Sequence, residues 1–150
     1  MPERRLEVQR RMAASPASVW ALYADFPNLA THWNGLRTTK AIGNQASGVG
    51  ARRRVELKPM GSMEETVTVW DEGRRIDTRN QPSALVPFSR AESTLTLEPD
   101  EGGTLVRFGY RYVPRGGPLG RVTGPLIDRM LTATFTDMLA ATEKAALAKG

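Results

Sequence analysis

Residues 118–150, PLGRVTGPLIDRMLTATFTDMLAATEKAALAKG, decide the fold. Leu126, Ile127, Met130, Leu131, Thr134, Phe135, Met138, Thr142 and Ala145 recur at helical spacing and share one broad face. Arg129, Thr132, Thr136, Ala140 and Glu143 fall opposite. An apolar arc near half the circumference belongs to a helix laid on a sheet. Gly124-Pro125 interrupts the pattern. Proline there removes the bond to the Arg121 carbonyl and crowds that turn. The expectation is a kink, or a short lead-in helix and a longer one from Pro125.

Upstream of Pro114-Arg-Gly-Gly-Pro118 the period falls toward two. Residues 36–42, 51–58, 64–71, 75–80, 88–98 and 104–113 each read as strands. Their separators are turn chemistry: Gly43-Asn44, Pro59-Met60-Gly61, Asp71-Glu72-Gly73, Gln81-Pro82-Ser83 and Asp100-Glu101-Gly102-Gly103. Such close spacing favours an antiparallel meander, because a parallel crossover needs about a dozen connecting residues. A further strand is predicted over 5–13. Between it and the meander, Ser15-Pro16 starts one short helix and Asp25-Phe26-Pro27-Asn28 a second, ending near Trp33. The fold class is therefore α+β: a curved seven-stranded antiparallel sheet, two short helices and a long C-terminal helix gripped against the sheet.

Alternation assigns the inner face. Val106, Phe108, Tyr110 and Tyr112 share one side of the last strand and are bulky, so they point in. Ala91, Ser93, Leu95 and Leu97 join them, as do Val67 and Val69 with Glu65, and Arg53, Val55 and Leu57. Ala91 and Ser93 leave space that a close-packed core would fill. Met130 and Met138 are flexible side chains suited to variable ligands. The predicted ligand-contacting set is Trp33, Arg53, Val55, Val67, Val69, Ala91, Ser93, Leu95, Phe108, Tyr110, Tyr112, Ile127, Met130, Thr134 and Met138. The same residues could instead simply pack sheet against helix. Arg53, Glu65, Tyr110 and Tyr112 are costly to bury unpaired. They pair with one another, as in an Arg53–Glu65 ion pair, or meet the polar end of a ligand.

Composition bounds the rest. A chain of 150 residues fits one domain, 1–150, able to bury roughly two-thirds of its unfolded surface. It has no cysteine, hence no disulfide, thiolate nucleophile or cysteine metal site. No stretch approaches the ~18 apolar residues of a membrane span. MPERRLEVQRR lacks the apolar core of a signal peptide. A cytoplasmic protein is expected. The net charge is +5, with arginines clustered at 4–5, 10–11, 52–54 and 74–79. Aromatic residues do not interleave with them as a stacking platform requires, so a nucleic-acid partner is not expected. Monomer and homodimer both remain open.

Three segments carry a family resemblance: SPASVWALYADFPNLATHWNGL at 15–36, ETVTVWDEGRRIDTR at 65–79 and RYVPRGGPLGRVTGPLIDRMLTATFTDML at 111–139. Together with the element order they resemble the START-like, or Bet v 1-like, superfamily, especially its polyketide cyclase/dehydrase branch. The resemblance spans nearly the whole chain and implies a helix-grip fold with a deep hydrophobic cavity. Gly43-Asn44-Gln-Ala-Ser-Gly48-Val-Gly50 stands where such proteins carry a glycine-rich loop. It lacks the Gly-Lys-Ser/Thr ending of a phosphate loop and reads as a turn.

Chemistry is sparse. His32 is the only histidine. No paired histidines or clustered carboxylates stand at ligand spacing, so neither a metal nor another cofactor is expected. Three functions follow. The first is a protein that binds a small hydrophobic molecule such as a lipid, quinone or polyketide in the cavity. The second is a cyclase or dehydratase working there, with Tyr110, Glu65 or His32 as acid or base. The third is a protein that uses its basic face on RNA, the ribosome or an anionic membrane.

Overall fold

A computed structural model describes residues 3–149; Gly150, the last residue of the helix pattern, lies outside them. The chain runs β1 (Arg4–Met12), α1 (Pro16–Ala24), a 3-10 turn (Phe26–Thr31), β2 (Leu36–Ile42), β3 (Arg52–Leu57) and β4 (Ser62–Asp71). It continues through β5 (Arg75–Pro82), β6 (Phe88–Asp100), β7 (Gly103–Pro114), a 3-10 turn (Gly117–Leu119) and α2 (Gly120–Lys149). The seven strands form one antiparallel sheet in the order β1-β7-β6-β5-β4-β3-β2. β2 to β7 are thus a meander, and β1 returns to close against β7. With α2 packed on the inner face, this is the helix-grip α+β fold.

Local chemistry accounts for the elements. Ser15 caps α1 by accepting from the Ser18 amide at 3.2 Å, and Pro16 occupies the first turn, where a missing amide costs nothing. Gly73 supplies the positive φ of +80° that turns β4 into β5. Along α2 the buried stripe is Ile127, Leu131, Phe135, Met138, Leu139, Thr142 and Ala146. Three ties fix the helix. Arg4 pairs with Asp128 at 2.6 Å, Arg10 pairs with Glu143 at 2.8 Å, and Trp33 donates its indole N–H to Asp137 at 2.9 Å.

Two expectations are corrected here. Of the two outcomes expected at Gly124-Pro125, the divided helix is not found: α2 is one continuous helix with Pro125 inside it. Pro125 stands in the second turn, so it forfeits a single intrahelical bond. The second concerns β4. The register slips between Val67 and Val69, so Val67 pairs with Thr78, Val69 with Asp77 and Trp70 with Ile76. The extra residue reverses alternation. Val69, expected to face inward, turns out and is 37% exposed. Trp70 takes the inner side and packs edge-on against Trp20 at 5.4 Å.

Candidate functional site

The sheet and α2 enclose a cavity of about 390 Å³. Its floor comes from β3 to β7, its roof from Met130, Leu131, Thr134, Phe135 and Met138 of α2. Leu22 and Tyr23 of α1, Phe26 and Leu29 of the first 3-10 turn, and Trp33 close one end. The exposed Met60 and Leu85, with Lys58 and the half-exposed Met130, ring the mouth. Trp33 is held over Gly35, where a Cβ would come within 2.2 Å of the indole. Only glycine permits that approach.

Most of the expected contact set reaches this space. Trp33, Arg53, Val55, Ser93, Leu95, Phe108, Tyr110, Met130, Thr134 and Met138 all line it, as does Glu65. Phe108 and Tyr110 of the floor each meet the Phe135 ring of the roof at 4.7 Å between centroids, so sheet and helix touch there and the cavity lies beside this contact. Five expected residues do not line it. Val67 and Ala91 are buried in the layer between sheet and helix, and Val69 is turned out by the bulge. Ile127 is buried nearer the start of α2, away from the lining. Tyr112 is drawn toward that helix end, where its hydroxyl donates to Asp128 and lies 3.2 Å from the Gly124 carbonyl.

His32, a candidate base, stands outside the lining. It contacts Thr142 at 3.3 Å and the edge of Tyr23. Burial, and after it the Lys149 charge, push its pKa below the usual imidazole value, which keeps it neutral. It serves the packing of α1 on α2.

A polar strip crosses the floor. Arg53, Glu65, Asn80, Ala91, Tyr112 and Arg4 follow one another as cross-strand partners in one row. Val67, Thr78, Ser93 and Tyr110 form the next row on the same face. The Arg53–Glu65 ion pair is present at 2.7 Å. Arg53 also donates to the Phe26 carbonyl at 2.8 Å and lies 3.9 Å above the Phe26 ring. Thr78 and Ser93 share a hydroxyl bond of 2.5 Å. The buried Tyr110 hydroxyl reaches the Met63 sulfur at 3.7 Å and lies toward the Asn80 amide without closing a hydrogen bond to it. Burial, then the Glu65 charge, push the Tyr110 pKa well above the ordinary phenol range, against a smaller opposing effect of Asn80. Tyr110 therefore keeps its proton and acts as a donor.

Sequence reasoning missed Thr78, Asn80 and Ile76 on β5, Met63 on β4, and Phe135 on α2, all of which line the cavity. Ile76, Thr78 and Asn80 share a face by alternation. The signal was the charge alternation of β5: Arg75, Asp77, Arg79 and Gln81 mark the outer side and leave Ile76, Thr78 and Asn80 inward.

The comparisons agree with this architecture. A family model described as polyketide cyclase/dehydrase and lipid transport matches residues 3–146. The chain belongs to this family. Among solved structures, a START superfamily protein from Mycobacterium smegmatis superposes with a TM-score of 0.81 at 15% identity, over 97% of this chain and 99% of that one. A protein from Thermus thermophilus gives 0.79 at 20% identity, over 98% and 99% of the two chains. Truncated norcoclaurine synthase from Thalictrum flavum gives 0.74 at 18% identity, over 97% and 94%. At these identities the likeness is one of fold. No curated protein matches the sequence significantly. No described helix of this polyketide cyclase/dehydrase family member is long and apolar enough to cross a membrane.

Proposed function

We propose that the protein binds a small hydrophobic molecule, of lipid, quinone or polyketide type, between the sheet and α2. The observation that supports this is the cavity itself. Its volume falls in the range of small-molecule sites, and its walls are apolar and aromatic with a few convergent polar groups. Family membership supports the same reading in general terms.

Catalysis on a bound polyketide-like substrate is the second reading. Glu65 and Tyr110 both reach the cavity, which favours it. Yet Arg53 holds Glu65 at 2.7 Å, and Tyr110 keeps its proton, which leaves Tyr110 the role of an acid and not of a base. The basic face is a weak rival. Arg4, Arg10, Arg11, Arg52, Arg53, Arg54, Arg75, Arg107 and Arg111 each pair with a carboxylate, which reduces the field available to a polyanion.

Titration with N-phenyl-1-naphthylamine, whose fluorescence rises in apolar surroundings, tests the binding reading. Saturable enhancement in the wild type, lost when Met138→Trp fills the roof of a protein that still folds, supports it. No saturable enhancement in the wild type sinks it. Turnover of a poly-ketone that is abolished by Tyr110→Phe would move the assignment to the enzyme.

A further inference from the structure

The buried polar side-chain atoms left without a hydrogen-bond partner, among the described residues, are the Tyr23 hydroxyl and both amide atoms of Asn80. Both residues line the cavity. Asn80 is 2% exposed. Its cross-strand neighbours are Glu65, which Arg53 engages, and Ala91, whose methyl bonds to nothing; the Tyr110 hydroxyl of the next row lies toward it but closes no hydrogen bond. Thr78 and Ser93 satisfy each other in the adjacent row. A folded interior rarely leaves both ends of a primary amide unmatched, so such a group asks for an explanation.

We propose that Asn80 anchors the ligand, and that it selects a neutral group able both to donate and to accept: a carboxamide, a hydroxyl, or a hydroxyl beside a ketone. The proposal rests on the binding reading above and names the polar chemistry that reading leaves open. Asn80 offers an N–H₂ donor and a carbonyl acceptor side by side, and a ligand must match both. Charge excludes the ionic alternative. The cations in the lining are Arg53, already held by Glu65 and the Phe26 carbonyl, and Lys58, which sits at the mouth and donates to the Asn34 carbonyl. A carboxylate bound at Asn80 would face Glu65 with no unengaged cation nearby. Water entering the cavity would satisfy the amide in the free protein. A ligand that displaces this water must replace its bonds or lose affinity. Asn80 therefore contributes to the discrimination between polar and purely apolar guests.

Three matched probes test it: 2-naphthamide, 2-naphthoate and 2-methylnaphthalene, titrated into the wild type and Asn80→Leu. Leucine keeps the branched skeleton and removes both polar atoms. The wild type is expected to bind 2-naphthamide at least ~10-fold tighter than 2-naphthoate, about the effect of one well-made bond. Asn80→Leu is expected to weaken 2-naphthamide by at least ~10-fold while 2-methylnaphthalene changes less than ~2-fold or gains. Parallel changes for all three probes overturn the Asn80 assignment and leave the cavity reading intact. Binding of no probe to the wild type overturns both. Equal affinity for 2-naphthoate overturns the neutral-group selection. If Asn80→Leu does not fold, the wild-type crystal structure with 2-naphthamide decides. A carboxamide within hydrogen-bond reach of Asn80 supports the assignment, and any other pose overturns it.

Discussion

Two clusters on the inner face have the same ingredients and opposite states. At the start of α2, Arg4, Asp128 and Tyr112 form a closed set. Arg4 donates to Asp128 at 2.6 Å, and the Tyr112 hydroxyl donates to the other oxygen of the same carboxylate. On the cavity floor, Arg53 and Glu65 are paired, but the nearby Tyr110 bonds only a sulfur, and Asn80, though close to the Tyr110 hydroxyl, closes no hydrogen bond. The first cluster has used its hydrogen-bonding capacity on the fold. The second keeps some in reserve beside an open volume. Polar groups in a family fold are thus sorted less by residue type than by what remains unsatisfied once the chain has folded.

Four measurements can break or sharpen that contrast. The largest effect is expected for Glu65→Ala, which strands Arg53 in a low-dielectric site. The loss should be about 3–5 kcal/mol by urea unfolding. An Arg53→Met, Glu65→Met double variant should recover most of it, and failure to recover would mean the pair does more than neutralise itself. Tyr112→Phe comes next. It should cost about 1–2 kcal/mol through the lost bond to a charged acceptor, with no change in probe binding. Tyr110→Phe should cost less than about 0.5 kcal/mol, because its hydroxyl reaches only a weak acceptor, and should shift the affinity for 2-naphthamide. If the two phenylalanine variants behave alike, the contrast fails.

Acid unfolding is the third. Burial acts to raise the Asp128 pKa, but hydrogen bonds from Arg4 and Tyr112 outweigh it and hold the carboxyl below its usual value. The Ala13 amide, then Arg10, do the same for Glu143. Folded values below the unfolded ~3.9 and ~4.3 mean that this stability is complete above about pH 5. It fades as pH falls through the folded values. Asp128→Asn should flatten the thermal-melt profile in that window, and a profile unchanged from the wild type would count against the closed cluster.

The smallest effect belongs to His32. Its folded pKa is depressed, so the neutral form carries the stability, which is full above about pH 7.5. It declines as pH drops through the unfolded value of ~6.5. His32→Gln should remove this slope by a few tenths of a kcal/mol. It should also leave probe binding unchanged, since His32 lies outside the lining. A loss of binding would return His32 to the site.

Much of this was legible along the chain. Turn residues between alternating runs announced the meander, and helical spacing from Leu126 to Ala145 announced α2, because both periods are properties of local backbone geometry. The inner positions of β3, β6 and β7 followed from the same alternation, including the Arg53–Glu65 pair. Legibility stopped where one residue of slip mattered. Nothing in Val67-Thr68-Val69-Trp70 distinguishes a bulge from a regular strand, yet the bulge exchanges Val69 for Trp70 on the inner face. The helix shows the same limit: Leu126 and Met130 belong to the apolar arc but are 65% and 49% exposed, Met130 at the cavity mouth.

Sequence alone determined the element order, the fold class and part of the apolar lining, since periodicity and turn chemistry act over a few residues. Only the tertiary structure decided that a volume stays open, that Tyr112 is absorbed into a structural bond while Tyr110 is not, and that Asn80 has no partner. Whether a buried polar group is satisfied depends on atoms brought together from distant strands and a helix, and no local pattern records that meeting.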